Sequence, residues 1–145
     1  MKHILITLLL CASSMYAQNP LKGEWITNSL LGKFKEENSN LFELTKDEDE
    51  IAGIATVFEK NDKNQYKSFY FAPCGNDCFK SISGTFELIA PSYVCLNALT
   101  FEQYGDCKKK NKTLHNDTAD YYIYKVSDKK IFLVKSTSKN EKEDQ

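Results

Sequence analysis

The chain contains no arginine: all nineteen of its basic residues are lysines. Without guanidinium groups there is no planar fork for bidentate contact with phosphate, carboxylate or guanine. A formal net charge of only −1 adds no long-range pull, so nucleic acid is excluded as a partner class. Histidine is almost as scarce. His3 lies at the extreme N-terminus and His115 in the polar stretch "KTLHNDT", so a Ser-His-Asp or Cys-His site would rest on His115 alone. No catalytic residue is assigned on that basis. No glycine-rich phosphate loop is present, and no cofactor is implied. Beyond the N-terminus no apolar run approaches the ~20 residues that a membrane-spanning helix needs.

What is there begins with "MKHILITLLLCASSMYAQ". A charged start, a short apolar centre from Ile4 to Ala12 and a small-residue exit read as a secretory signal peptide, residues 1–17, cleaved after Ala17. Cys11 follows Leu10, where a lipid-attachment motif wants a small residue, so a lipoprotein anchor is the weaker reading. The mature protein is expected to be secreted or periplasmic, with one domain over residues 18–137 and a charged, disordered tail over 138–145, "SKNEKEDQ". Its lysine-only basic set and "YAQ" leader exit resemble exported bacterial proteins.

Loss of the leader removes Cys11 and leaves Cys74, Cys78, Cys95 and Cys107. An even number of cysteines in an oxidising compartment favours two disulfides over free thiols. Three connectivities are open, and the two local pairs, Cys74–Cys78 and Cys95–Cys107, are preferred. Zinc fits the ligand type, but the spacing lacks a CxxC knuckle. "DEDE" at Asp47–Glu50 lacks the glycine-centred loop of a calcium-binding EF-hand and reads as a solvated turn. No metal site is assigned. The Lys-rich run "CKKKNK" at Cys107–Lys112 reads as a solvated loop. The glycosylation acceptor patterns at Asn111 and Asn116 are chance matches in an Asn-rich stretch.

From Leu41 onward, short runs of aromatic and β-branched residues alternate with polar turn clusters. "LFELTK" and "IAGIATVFE" read as a hairpin, "QYKSFYFA" returns and stops at Pro73, and "SISGTFELIA" stops at Pro91. "SYVCLNALTFEQY" should bend near Asn97. "DTADYYIYKV" and "KIFLVKST", joined by "SDKK", form the clearest hairpin. No apolar period of 3.6 persists over three turns. The spacing predicts an all-β domain of about eight antiparallel strands, and closure into an up-and-down barrel removes the free edges that invite aggregation.

One motif sits in that context. "NPLKGEW" places Gly23 two residues before Trp25, the chain's single tryptophan. A Gly-x-Trp at the start of the first strand, ahead of a β meander of this length, resembles the lipocalins and the wider lipocalin-like (calycin) group. The resemblance extends to "TADYY", where Asp120–Tyr121 approximates the family's Thr-Asp-Tyr element. It implies a lipocalin-like barrel with the indole packed across the closed end and a basic side chain covering it, here Lys135. It also implies non-catalytic carriage of a small, largely apolar ligand in the barrel cavity.

The aromatic inventory suits such an interior. Phe58, Phe69, Phe71, Tyr122 and Tyr124 are the candidate ligand-binding residues; Gly23, Trp25 and Lys135 are the structural ones. Two other readings stand beside the carrier. One is a secreted protein-binding module of inhibitor or adhesion type, with a filled core and its partner met through loops. The other is a hydrolase or isomerase on a barrel scaffold. An empty apolar chamber favours the carrier, a filled core favours the protein-binding module, and a cluster of shifted acids in a cleft favours the enzyme.

Overall fold

A computed structural model describes residues 19–32, 40–46, 49–59 and 64–137, the side chain of Asn116 excepted. The leader and the tail expected at 1–17 and 138–145 lie outside the described residues. So do most of the turn at 60–64 and Asp47 and Glu48 of the acidic cluster.

The described residues form eight strands and no helix: β1 (Gly23–Thr27), β2 (Leu41–Thr45), β3 (Gly53–Glu59), β4 (Gln65–Phe71), β5 (Cys78–Ala90), β6 (Tyr93–Gly105), β7 (Lys110–Ser127) and β8 (Lys130–Lys135). They close into an antiparallel barrel in the order β1-β2-β8-β7-β6-β5-β4-β3. The all-β barrel expected from the strand spacing is present. From β3 to β8 the chain is an uninterrupted meander, and the β7–β8 hairpin forms over "SDKK" with Ser127 opposite Lys130.

The hairpin expected between β2 and β3 does not form. β1 lies between them, pairing Trp25 with Thr56 on β3 and Thr27 with Leu44 on β2. β2 is instead seated against β8, Leu41 opposite Val134 and Thr45 opposite Lys130. A short connection does imply adjacency in most folds. Here β1 is inserted between the two, with Ile26 opposite both Thr45 on β2 and Ala55 on β3.

The end of β3 at Glu59, the start of β4 at Gln65 and the turns at 91–92 and 128–129 mark one end of the barrel, called here the base. The other end, the mouth, carries residues 28–32 after β1 and the corners at 72–77 and 106–109. β5, β6 and β7 are much longer than the rest and rise beyond the mouth as a three-stranded flap, since β4 leaves β5 after Phe69 opposite Ser81. The bend expected near Asn97 is a register shift at Leu99 on β6, which leaves Thr100 opposite Ser83 and Ala98 opposite Gly84 on β5. Such bulges increase local twist and bend the strand. The stretch read as a polar loop, Lys110 to Thr118, is part of β7. Alternation along it is masked because only β6 covers it, so neither of its faces needs to be fully apolar.

The core has two parts. Toward the base and middle, Leu21, Trp25, Phe42, Leu44, Phe58, Tyr66, Phe86, Leu96, Tyr121, Ile123, Ile131 and Leu133 pack together. Toward the mouth, Leu30, Ile82 and Ala98 form a second cluster, with Ile54, Phe101 and Leu114 against it. Leu30, Leu31 and Gly32, just after β1, fold into the mouth and are buried there. Gly32 has a φ of 103°, and a Cβ on it would lie within 2.8–2.9 Å of Ile82, the Tyr66 hydroxyl and Ala98. Only glycine gives both that backbone and that approach.

Candidate functional site

The motif that carries the lipocalin-like resemblance is built as follows. Gly23 opens β1 with a φ of 109° in open space, so its requirement is conformational. Trp25 is 2% exposed, and its indole Nε1–H donates to the Leu21 carbonyl at 2.9 Å. The cation over its ring is not Lys135 but Lys46, whose Nζ stands 4.7 Å from the ring centroid. The reason is topological. β2 separates β8 from β1, and Thr45 at the end of β2 delivers Lys46 beside the indole. Lys135 closes the other end of β8, where its backbone N–H donates to the Asn40 carbonyl. Five residues of strand from Lys130 to Lys135 span ~17 Å.

Of the candidate pocket residues only Phe58 faces inward. It is buried and filled around by Phe86 at 5.3 Å, edge to face, and Tyr66 at 5.9 Å, stacked. On β4 the inward set is Tyr66 and Ser68, while Phe69 lies on the outer alternation with Lys67. Phe71 follows the same alternation and borders an outer cleft with Trp25, Ile26, Lys46 and Glu50. On β7 the inward set is Tyr121 and Ile123; Tyr122 and Tyr124 are 46% and 56% exposed. Period-two alternation separates two faces of a strand but does not name the inner one when both are aromatic. Phe69, Phe71, Tyr122 and Tyr124 therefore do not line a barrel chamber.

Inside, a polar rung crosses between the apolar clusters. Thr56 Oγ1 donates to Ser68 Oγ at 2.9 Å, Thr27 and Thr56 hydroxyls lie 3.4 Å apart, and the Leu31 N–H donates to Ser68 Oγ at 3.1 Å. These bonds tie the plug at the mouth to β3 and β4. The Tyr66 hydroxyl, buried beside the plug, has no hydrogen-bond partner among the described residues.

Burial raises the Tyr66 hydroxyl well above its ordinary value of 10.0, with Tyr121 and Asp117 adding to the shift. Burial raises Tyr121 likewise. Both folded values exceed the unfolded one, so their contribution is fully present below about pH 10 and is lost as pH climbs toward the folded values. The unfolding midpoint in urea is expected to stay flat up to about pH 10 and fall above it. Phenolate absorbance from these two side chains should appear only with unfolding. Ionisation near pH 10 of every tyrosine from Tyr66 to Tyr124 in the folded protein would show that this interior is open to water.

The cysteines pair as Cys78–Cys107, with a Cα–Cα distance of 5.2 Å, leaving Cys74 and Cys95 free. Neither expected local pair forms. Cys78 opens β5 opposite Gly105, and the chain turns after Gly105 so that Cys107 comes back beside it. Cys95 is at the far end of β6, and ten residues of strand put it ~34 Å from Gly105, beyond the reach of a disulfide. Cys95 lies half-buried, and its thiol is pushed up to about 11 by burial and by Asp120, with Glu87 adding. Cys74 is exposed on the corner before β5.

Among the described residues no three His, Cys, Asp or Glu side chains gather in a metal-holding group. His115 is exposed on β7. Two features were not read from the sequence. The first is an outer row running directly across four strands, Leu41–Val134–Tyr122–Tyr93, continued by Phe132 and Tyr124 in the next row. Tyr93 and Tyr122 meet edge to face at 4.9 Å. The alternation of Tyr122 and Tyr124 was its visible signal. The second is a cavity of about 310 Å³ at the mouth, bordered by Ser29, Leu30, Ile54, Tyr70 and Lys80. It has no single-segment signature, because four separate segments build it.

The fold and these sites define a closed eight-stranded antiparallel barrel with a plugged mouth and an aromatic outer face. Comparison with family models, with curated proteins and with solved structures finds no match.

Proposed function

We propose that the chain is an exported, non-catalytic binding protein that recognises a folded protein partner through the outer face of β2, β8, β7 and β6. The observation that carries this reading is the outer row of Leu41, Val134, Tyr122 and Tyr93 with Tyr124 and Phe132 beside it, in which Leu41, Tyr122 and Tyr124 are exposed and the other three half-buried. Contiguous apolar surface on a soluble domain is expensive to leave in water and marks contact sites. Tyrosine combines a rigid apolar body with a polar tip, and interfaces are enriched in it. Acidic groups flank the row at Asp120 and Glu87, and Lys130, paired with Glu43 and standing over the Phe132 ring, flanks it on β8, which gives a partner a charge register as well as an apolar anchor.

The packing of the main cluster inside the barrel, Phe58 against Phe86 and Tyr66 and Phe42 against Tyr121, supports the same choice. The Cys78–Cys107 disulfide fits an oxidising compartment and hence export. Gly23, Trp25 and the closed barrel support a lipocalin-like assignment, from which the placement of β2 and the use of Lys46 depart.

The immobilised wild-type chain is expected to retain a stoichiometric protein from the extracellular or periplasmic fraction of its source. Tyr122→Asp with Tyr124→Asp should weaken that complex by about 30-fold, the scale of ~2 kcal/mol at an aromatic hot spot. Lys67→Glu, on the outer face of β4, should leave it intact. Equal retention by all three proteins would remove the aromatic row from the function. Stoichiometric uptake of a hydrophobic probe with quenching of Trp25 would instead return the interior to the role of carrier.

A further inference from the structure

The flap is fastened at a corner that holds three of the described cysteines. The Cys78–Cys107 disulfide joins the first residue of β5 to the turn after β6. Cys74 stands just before Cys78 on the same corner, exposed and with its thiol free. A turn at Gly75 and Asn76 folds the chain back between Cys74 and Cys78, and a Cβ on Gly75 would meet nothing within 4 Å, so the turn is uncrowded. Both bonded cysteines are only half-buried. The strand around them is covered on one edge alone, because β4 leaves β5 at Ser81 and Cys78–Lys80 pair with β6 only. A disulfide at the open end of the sheet therefore has a free thiol one turn away.

Thiol–disulfide exchange needs an attacking thiolate, access to one sulfur of the bond and a sulfur that leaves readily. Cys78 Sγ is the sulfur within one turn of Cys74, which makes Cys107 the leaving group. Lys108, Lys109 and Lys110 follow Cys107 directly, and neighbouring ammonium groups favour a thiolate. Cys78 has Asp77 before it and Phe79 after it, so attack at Cys107, which would leave the charge on Cys78, is disfavoured. Cys107 Sγ lies 3.4 Å from the Tyr104 carbonyl, an acceptor for the thiol that exchange leaves there. The corner keeps a tie that does not depend on sulfur, the Asp106 N–H donating to the Asp77 carbonyl at 3.1 Å. Ring size acts in the unfolded chain. The native pair is 29 residues apart and Cys74 is only four residues from Cys78, so the short ring closes roughly twentyfold more often before the strands pair. Folding reverses that order, since pairing of β5 with β6 sets Gly105 opposite Cys78 and brings Cys107 beside it.

We propose that Cys74 is an exchange cysteine, which passes one disulfide between Cys74–Cys78 and Cys78–Cys107 as the flap opens or closes. In the opening direction Cys74 gives its proton to water and its thiolate bonds to Cys78 Sγ. The Cys78–Cys107 bond breaks, and its electron pair leaves on Cys107, which takes a proton from water. Closing is the reverse. One disulfide is present before and after, so no oxidant or reductant is consumed. The corner is separate from the aromatic outer face.

The test follows the reduced mature chain as it reoxidises with a limiting amount of oxidised glutathione at about pH 8.5, near the ordinary value for a thiol. Samples are quenched in acid, alkylated and digested with trypsin without reduction. Cys74 and Cys78 share the peptide Ser68–Lys80, which is lighter by a pair of hydrogens when they are joined. That lighter peptide is expected first. The Cys74–Cys78 isomer, separated from glutathione in acid and returned to about pH 8.5, should convert to Cys78–Cys107 without oxidant, at a rate independent of protein concentration. At about pH 6.5 the conversion should be at least about tenfold slower, as the thiolate fraction falls. Cys74→Ser should reach the same Cys78–Cys107 bond and the same circular dichroism, but at least about fivefold more slowly, because it lacks the more probable first ring. Cys95→Ser should match wild type, and Cys107→Ser should keep the lighter Ser68–Lys80 peptide. No Cys74–Cys78 species, an isolated isomer that does not convert, or equal rates for wild type and Cys74→Ser would each overturn the proposal.

Discussion

Trp25→Ala is expected to cost the protein about 4 kcal/mol, enough to lower its thermal midpoint by roughly 15 °C for a domain of this size. The indole is almost wholly buried, fills the space beside Leu21 and Leu44, and satisfies the Leu21 carbonyl. Truncation leaves a large void in a packed core, and total stabilities of ~5–15 kcal/mol make that loss severe. Circular dichroism is the proper readout, because the variant has no tryptophan to report. Lys46→Ala is expected to cost no more than about 1 kcal/mol, since the ammonium is exposed, yet to shift Trp25 emission. Lys135→Ala should leave that emission where it is. The reverse pattern would mean that β8, not β2, runs beside the indole, and the observed strand order would fall.

The second large effect concerns the flap. Cys78→Ser with Cys107→Ser removes a crosslink closing a loop of 29 residues in sequence separation, and the chain-entropy account gives about 3.6 kcal/mol for a loop of that size. Cys74→Ser and Cys95→Ser, which break no disulfide in this structure, should stay within about 0.5 kcal/mol of wild type. Non-reduced peptide mapping should yield a single crosslinked pair. Alkylation of the native protein should mark Cys74 quickly and Cys95 slowly, because the Cys95 thiol is both half-buried and pushed up to about 11. A Cys95–Cys107 crosslink in the map would contradict the register of β6. Because the flap carries Lys80, which borders the mouth cavity, loss of the crosslink should also loosen the mouth.

Much of the architecture was legible before any coordinates. Turn clusters of Asn, Asp and Lys between β-branched and aromatic runs mark where strands end, and the β7–β8 hairpin follows from "YYIYKV" and "KIFLVK" with four turn residues between them. A bend in β6 was legible near Asn97, and the structure puts it at Leu99. Strand order at the closure was not. Whether β2 pairs with its sequence neighbour β3 or with β8 depends on which edge is free after the meander has formed, which no local window records.

Face assignment failed for a related reason. Phe69 and Phe71 alternate with Tyr66, Ser68 and Tyr70, and either set has enough apolar area to face a core. The side chains across the barrel decide. Phe58 and Phe86 receive the Tyr66 ring, and the Leu31 amide meets Ser68. The same holds on β7, where Tyr121 packs against Phe42 at 5.6 Å and sends its neighbours Tyr122 and Tyr124 outward.

What the amino-acid order determined by itself was therefore local: strand composition, turn positions, the glycine that opens β1 with a positive φ, and the single indole that needs a buried seat. Those follow from backbone sterics and side-chain shape, which act over a few residues. Closure decided the rest: the seat of β2, the lysine over Trp25, the cysteine pair, the outer aromatic row and the plugged mouth. Each of those joins residues far apart in the chain. The free energy of such contacts exists only once the ring of strands has shut and put them side by side.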